Sequence, residues 1–99
     1  MKIKNVIIKP VTPSNGLVGF ASITLNEDIA LNSIAIYRKL DGSGYRLVYP
    51  TKGQMAAKYI FHPLTRQMSR EIERVIFEEC KNVFEKNRDD RYSKTDLRY

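Results

Sequence analysis

The stretch that decides the fold is Leu17–Leu25 (LVGFASITL), a run of mostly apolar residues that favours an extended chain. Successive side chains of a β-strand point to opposite sides, and apolar residues on both sides favour a central strand over an edge strand. Ala21 and Ile23 share one face, and Val18 and Phe20 share the other. We therefore predict that this strand lies in the middle of a sheet.

Strands are predicted on either side of this segment. Residues 2–9 (KIKNVIIK) mix lysine with isoleucine and valine, which indicates an edge strand that ends at Pro10. Residues 10–16 are rich in proline, asparagine and glycine, and predict a loop. On the other side, a turn at 26–28 leads into a third strand at 29–39 (IALNSIAIYRK).

A hairpin signal follows the third strand. Residues 41–44 (DGSG) are typical of a tight turn and lead into a fourth strand at 45–49. Residues 57–61 predict a short fifth strand. It ends at residues 62–63 (HP), because a residue before proline avoids helical angles.

Beyond this point the hydrophobic pattern has the period of a helix. Thr65 or Ser69 caps the predicted helix, which fades near Asn87. Its apolar stripe is wide enough to contact the sheet and a second chain, and consists of Met68, Ile72, Val75, Ile76, Phe77, Cys80, Val83 and Phe84.

These elements predict one domain over residues 1–87 of the 99-residue chain. Its class is α+β, with an antiparallel sheet of about five strands and one long C-terminal helix packed on it (βββββα). Residues 88–99 are polar, and we predict that they form a flexible tail.

Charge is distributed unevenly along the chain. Lys and Arg number 17 against 11 Asp and Glu, which gives a net charge of +6. Residues 1–70 hold 10 basic and 3 acidic residues, whereas residues 71–99 hold 7 and 8. A small basic chain favours polyanionic partners, either nucleic acid or an anionic membrane surface.

The segment from Gly42 to Arg70 contains no acidic residue. Cations without acidic neighbours suit phosphate groups, and a helix N-terminus adds N–H donors and a positive dipole. Tyr45 and Tyr59 are candidates for base stacking or for cross-strand packing. A solvated sheet rim explains the same charges, so both interpretations stay open. The candidate nucleic-acid-binding residues are Arg46, Lys52, Lys58, Arg66 and Arg70.

Other classes of function find little support. The single cysteine, Cys80, excludes an internal disulfide and a cysteine-built metal site, and it indicates a reducing, cytoplasmic compartment. No apolar stretch is long enough for a signal peptide or a membrane span. His62 lacks the partners of a catalytic triad, and residues 42–44 lack the lysine of a phosphate-binding loop. We expect no enzyme activity, no metal site and no cofactor.

Several short motifs occur in a characteristic order. The chain contains, in this order, ASITLN at residues 21–26, IAI at 34–36, PTK at 50–52, HPL at 62–64 and then Ile72. This series of motifs resembles the SpoVG family, known as stage V sporulation protein G or septation regulators. None of these motifs identifies the family by itself. Their occurrence in this order over most of the chain is what makes the resemblance specific.

The resemblance implies a sheet with a C-terminal helix, a homodimer in the bacterial cytoplasm, and binding to DNA and in some cases RNA. Members of the family regulate gene expression, cell division and sporulation. Lys52 matches the lysine of the family's PSK motif, and Lys58 matches a basic position before the HP motif. Thr51 and Gly53 depart from the family pattern, which indicates a divergent member.

We therefore predict a homodimeric nucleic-acid-binding regulator with no membrane partner and no small-molecule substrate. The alternative is a protein–protein interaction adaptor that docks its partner through a sheet edge or a helix face. The sequence leaves the preference between DNA and RNA open.

Overall fold

The computed structural model describes residues 2–53 and 58–86. Four antiparallel strands form one sheet in chain order, and a helix follows them, so the predicted α+β class is confirmed. The elements are β1 (Ile3–Ser14), β2 (Leu17–Leu25), β3 (Ile29–Arg38), β4 (Tyr45–Val48), α1 (Arg66–Cys80) and a π-helical segment (Lys81–Lys86) that continues α1.

The prediction for β2 is confirmed in its bounds and in its central place, since it pairs with β1 on one side and β3 on the other. The predicted end of β1 at Pro10 is wrong, because the strand continues to Ser14. Pro10 pairs with Gly19 of β2. An edge strand tolerates proline because its outer side has no ladder partner that needs the missing N–H.

The predicted loop at 10–16 shrinks to a two-residue turn. Ser14 pairs with Leu17, and Asn15 and Gly16 between them have φ angles of 52° and 92°. Positive φ at both central residues defines the turn type whose twist matches that of a hairpin. Asn-Gly is the dipeptide that adopts this turn most readily, because both residues tolerate the left-handed region.

Two bulges flank the same part of β2. The pairing of β1 with β2 shifts by one residue between Lys4 and Ile7, and the pairing of β3 with β2 shifts by one residue opposite residues 21–23 of β2. Asn5 and Ser33 lie in these bulges with φ angles of 52° and 68°. Each bulge adds one residue to the strand that pairs with β2, which increases the local twist of the sheet.

The predicted fifth strand is reduced to one isolated bridge between Thr51 and Tyr59. The amide of Ile60 donates to the Pro50 carbonyl at 2.8 Å, so the chain folds back on the segment just after β4. This segment therefore pairs with its own loop and not with the sheet edge, and Ala57 at its predicted start lies outside the described residues.

Thr65 is the residue that caps α1. Its Oγ1 accepts a hydrogen bond from the Met68 amide at 3.1 Å, whereas Ser69 lies inside the helix. This bond satisfies one of the free N–H groups of the first turn. The predicted helix end near Asn87 and the tail at 88–99 lie outside the described residues.

The core lies between α1 and one face of the sheet. Its fully buried side chains are Ile23, Ile34, Ile36, Ile76 and Cys80. At the far end of the helix the rings of Phe77 and Phe84 lie 6.2 and 5.9 Å from that of Tyr45. The opposite side of the sheet, called the open face below, carries Ile7, Lys9, Phe20, Ala35, Tyr37, Arg46 and Val48.

Candidate nucleic-acid interface

The five predicted basic residues are all exposed, and they lie in three places. Lys52 and Lys58, called the loop cations, lie in the segment between β4 and α1. Arg66 and Arg70, called the helix cations, lie in the first turns of α1. Arg46 is part of β4.

Backbone pairing holds the loop cations next to each other. The Lys52 amide donates to the Lys58 carbonyl at 2.7 Å, beside the bridge between Thr51 and Tyr59. Two positive charges on neighbouring strands repel each other unless an anion lies between or above them. The local fold therefore places two exposed cations where one anionic group can contact both.

The helix cations lie one turn apart at the positive end of the helix dipole. The first turn of α1 contains no acidic residue. Cations at this end of a helix are unfavourable for the isolated helix, because the free N–H groups already carry partial positive charge. An anion bound near Arg66 and Arg70 would relieve this repulsion and accept hydrogen bonds from the same end.

Glu71, the acidic residue next to Arg70 on α1, is paired within the helix. The Arg74 guanidinium donates to the Glu71 carboxylate and also lies 3.6 Å from that of Glu78. The hydrogen bond from Arg74 lowers the pKa of Glu71. Within residues 2–53 and 58–86, no ion pair involves a loop cation or a helix cation.

An apolar groove of about 410 Å³ connects the loop with the start of the helix. Its lining includes Tyr49, three residues before Lys52, and Thr65, which precedes Arg66. Burial, with a smaller contribution from the charge of Glu73, raises the pKa of Tyr49 to about 12. The lining shows that the loop and the helix N-terminus meet at one end of the molecule.

Arg46 lies apart from the other four cations. It pairs with Tyr37 on the open face, while the neighbouring pair of Ile36 and Leu47 points towards α1. The Arg46 guanidinium lies 4.7 Å above the centre of the Tyr37 ring. The sheet therefore separates Arg46 from the helix cations.

The two tyrosines proposed for base stacking have different surroundings. Tyr45 is only 9% exposed, and its hydroxyl donates to Glu85 at 3.3 Å, so its ring belongs to the core. Tyr59 is 47% exposed, and its ring lies 4.7 Å from that of His62. Of the two, only Tyr59 presents a ring to solvent.

The sequence interpretation missed the basic and aromatic character of the open face. Lys9 pairs with Phe20, and Phe20 pairs with Ala35, which places all three side chains in one row across the sheet. The signal was present in the alternation of β2, which puts Phe20 opposite to the buried Ala21. It was overlooked because an apolar residue in a central strand was assigned to packing alone.

The side chains that carry reactive chemistry have structural partners. Nδ1 of the exposed His62 lies 3.0 Å from the Pro63 carbonyl. Cys80 is fully buried, and burial raises its pKa to about 12. In the part of the chain that the structure describes, no three His, Cys, Asp or Glu residues cluster as metal ligands, and no helix is long and apolar enough to cross a membrane.

The family model described as SpoVG matches residues 1–82 of the chain. No curated protein matches it. The match covers all four strands and α1, so it includes every candidate cation.

Proposed function

The chain belongs to the SpoVG family, and we propose that it regulates gene expression as a homodimer that binds nucleic acid in the cytoplasm. Membership of the family supports a regulatory role related to sporulation or septation. Binding to DNA or RNA, the dimer and the cytoplasmic location are the parts that we add. No catalytic step is included in this proposal.

One observation carries the proposal: the loop cations and helix cations meet at one end of the molecule without acidic partners among the described residues. Each cation that neutralises a phosphate releases a counterion, so the affinity falls as salt increases, by about 0.9 log units per log unit of salt for each contact with duplex DNA. The mechanism is electrostatic and reads the phosphate backbone. Sequence preference would need contacts beyond these four residues.

The homodimer would double this basic surface across a twofold axis. Support comes from the apolar side chains near the groove, since Ile60 is 65% and Leu64 is 89% exposed. Much of the wide helical stripe is already used within one chain, because Phe77 and Phe84 pack on Tyr45. Analytical ultracentrifugation should show a dimer at micromolar concentration, and a monomer there would contradict this part of the proposal.

Charge reversal at the loop cations tests nucleic-acid binding. Lys52→Glu and Lys58→Glu should each weaken binding to duplex DNA and lower the slope of log affinity against log salt by about one. Lys39→Glu is the matched control, because Lys39 is equally exposed but lies beside the β3–β4 turn. It makes the same change in net charge and should have a clearly smaller effect.

Equal losses in all three variants would show that only net charge matters, and would contradict a local site. The exposed Ile60 and Leu64 favour a second candidate, an adaptor that binds a protein partner. An adaptor would bind no nucleic acid, and its interactions would survive reversal of Lys52 and Lys58. Such a result would replace the proposed function with the adaptor.

A further inference from the structure

The open face is a continuous surface across all four strands. Lys9, Phe20, Ala35 and Val48 pair in one row from β1 to β4. The helix packs on the other side of the sheet, and so does the loop before it, because Phe61 lines the groove together with Leu25 and Leu31. Within the two described ranges, no helix covers the open face.

Large apolar side chains on this face are accessible to solvent. Ile7 is 53% and Phe20 is 37% exposed, although Phe20 lies on the central strand β2. An aromatic ring in the middle of a sheet is normally covered, because burying it is strongly favourable. Phe20 is therefore a candidate contact for a partner.

The charge of the face indicates what the partner is. None of the strands β1–β4 contains an acidic residue. The acids of this half of the chain lie in turns, where Glu27 pairs with Lys4 at 2.6 Å and Asp41 accepts hydrogen bonds from Ser43. The open face thus carries Lys9 and Arg46 without acids that could neutralise them.

We propose that the open face binds single-stranded nucleic acid, with one base stacked on Phe20 and phosphates held by Lys9 and Arg46. This inference deepens the proposed function, on which it rests, because it names the class of polymer. Base faces are available for stacking on side chains only where the bases are unpaired. A duplex keeps them inside, so Phe20 would contribute little to duplex binding.

The Arg46–Tyr37 pair provides a second flat surface. The guanidinium lies 4.7 Å above the centre of the Tyr37 ring, within the range of a cation–π contact. Arginine planes stack on bases as aromatic rings do. Tyr37 is two residues after Ala35, the partner of Phe20, which makes Phe20 and Tyr37 diagonal neighbours, roughly 7–8 Å apart. This spacing leaves room for one base at each surface.

The same charges disfavour a second copy of the chain on this face. In a twofold interface a surface patch meets itself, so Lys9 and Arg46 would face like charges. Burying such charges without acidic partners is strongly unfavourable. A polyanion with flat, apolar bases matches both the charges and the exposed ring.

The test compares one single-stranded oligonucleotide, a thymidine 20-mer, with a duplex of the same length. Phe20→Ala should weaken binding to the single strand by roughly 5- to 150-fold, the effect of losing one stacked base, and leave duplex binding within about twofold. Phe20→Tyr keeps a ring and should retain the single-strand affinity. Leu40→Ala is the control, because it removes a fully exposed apolar side chain in the turn between β3 and β4, outside the open face.

A direct readout is available because the chain contains no tryptophan. In the variant Phe20→Trp, the single indole should be quenched when the thymidine 20-mer binds, and much less by the duplex. Equal quenching by both polymers would overturn the inference.

The outcomes separate this inference from the proposed function. If Lys52→Glu weakens nucleic-acid binding but Phe20→Ala leaves single-strand affinity unchanged, the open face is not the site and the proposed function stands. If the unmodified protein binds neither polymer, the proposed function fails as well. If Phe20→Ala converts a dimer into a monomer, the face is an interface between two copies and the inference is wrong.

Discussion

The two faces of the sheet are made by alternate residues of the same strands, yet they differ in almost every property. The face under α1 carries aliphatic side chains such as Ile23 and Ile36, which are at most 1% exposed. The open face carries Lys9, Phe20 and Arg46. One face packs against α1 and specifies the fold, while the other carries charge and aromatic rings that the core does not require.

The largest difference between the faces should appear in stability. Ile76→Ala removes a fully buried side chain and leaves a cavity, so we expect a loss of about 2–5 kcal/mol in the free energy of unfolding. Ile7→Ala is the matched change on the open face, where the side chain is 53% exposed, and should lose less than about 1 kcal/mol. Urea denaturation measures both values. Similar losses would contradict the division between the two faces.

The covered side should also protect its thiol. The pKa of Cys80 is raised from an ordinary 9.0 to about 12. A rise of this size lowers the thiolate fraction at pH 8 by roughly a thousandfold, so the native protein should react far more slowly with a thiol reagent than the protein unfolded in guanidinium. Equal rates would show that Cys80 is not buried between α1 and the sheet.

The same shift predicts how stability changes with pH. A raised pKa in the folded state favours the protonated thiol, so this contribution is complete below about pH 9 and declines as the pH rises towards 12. Urea midpoints measured between pH 7 and 11 should fall in the alkaline range. In Cys80→Ala the decline should be shallower, although Tyr49, whose pKa is also raised to about 12, contributes in the same direction.

The two faces of β2 also differ in how closely they are packed, as Gly19 shows. An added Cβ would lie 2.8 Å from the Lys9 carbonyl oxygen and 3.3 Å from the Phe84 ring, so Gly19→Ala should cost about 1–3 kcal/mol. Ser22→Ala, on the open-face side of β2, should stay within about 0.5 kcal/mol. Thermal or urea unfolding of the two variants measures both losses of stability. A larger loss for Ser22→Ala than for Gly19→Ala would contradict the close contact at Gly19.

The smallest effect concerns the groove beside the covered face. The Tyr49 hydroxyl is buried without a hydrogen-bond partner in the described part of the chain. Tyr49→Phe removes this hydroxyl and should raise the free energy of unfolding by about 1 kcal/mol. A loss of stability would mean that the hydroxyl has a partner in solution.

Much of the fold follows from local sequence signals. The predicted bounds of β2 and β3 agree with the structure to within one residue, because turn residues at 26–28 and 41–44 mark where these strands end. Pro10 was misjudged because proline ends a central strand but not an edge strand, and only the pairing of β1 reveals the difference. The sequence does not decide between Thr65 and Ser69 as the cap of α1, since both residue types can cap a helix.

The sequence predicts which basic residues are candidates for binding, but not which of them lie on the same surface. The acid-free segment identified Lys52, Lys58, Arg66 and Arg70 from composition alone. That Arg46 lies on the other side of the sheet depends on strand parity, which follows from the pairing of Tyr37 with Arg46. The bulge at Ser33 changes which face of the sheet the later side chains of β3 point to. Ser33 has a positive φ angle, and no local signal in the sequence predicts this.

The most direct test of nucleic-acid binding is a fluorescence-anisotropy titration of the unmodified protein with duplex DNA, single-stranded DNA and RNA at 50 and 200 mM salt. If the four cations at the loop and helix N-terminus of one protomer each neutralise one phosphate, affinity should fall by roughly 50- to 150-fold between these salt concentrations, and by more where both protomers contact the same polymer. Stacking on Phe20 further predicts tighter binding to single strands than to the duplex. Absence of binding to all three polymers at 50 mM salt, or binding that does not respond to salt, would contradict a phosphate-binding surface.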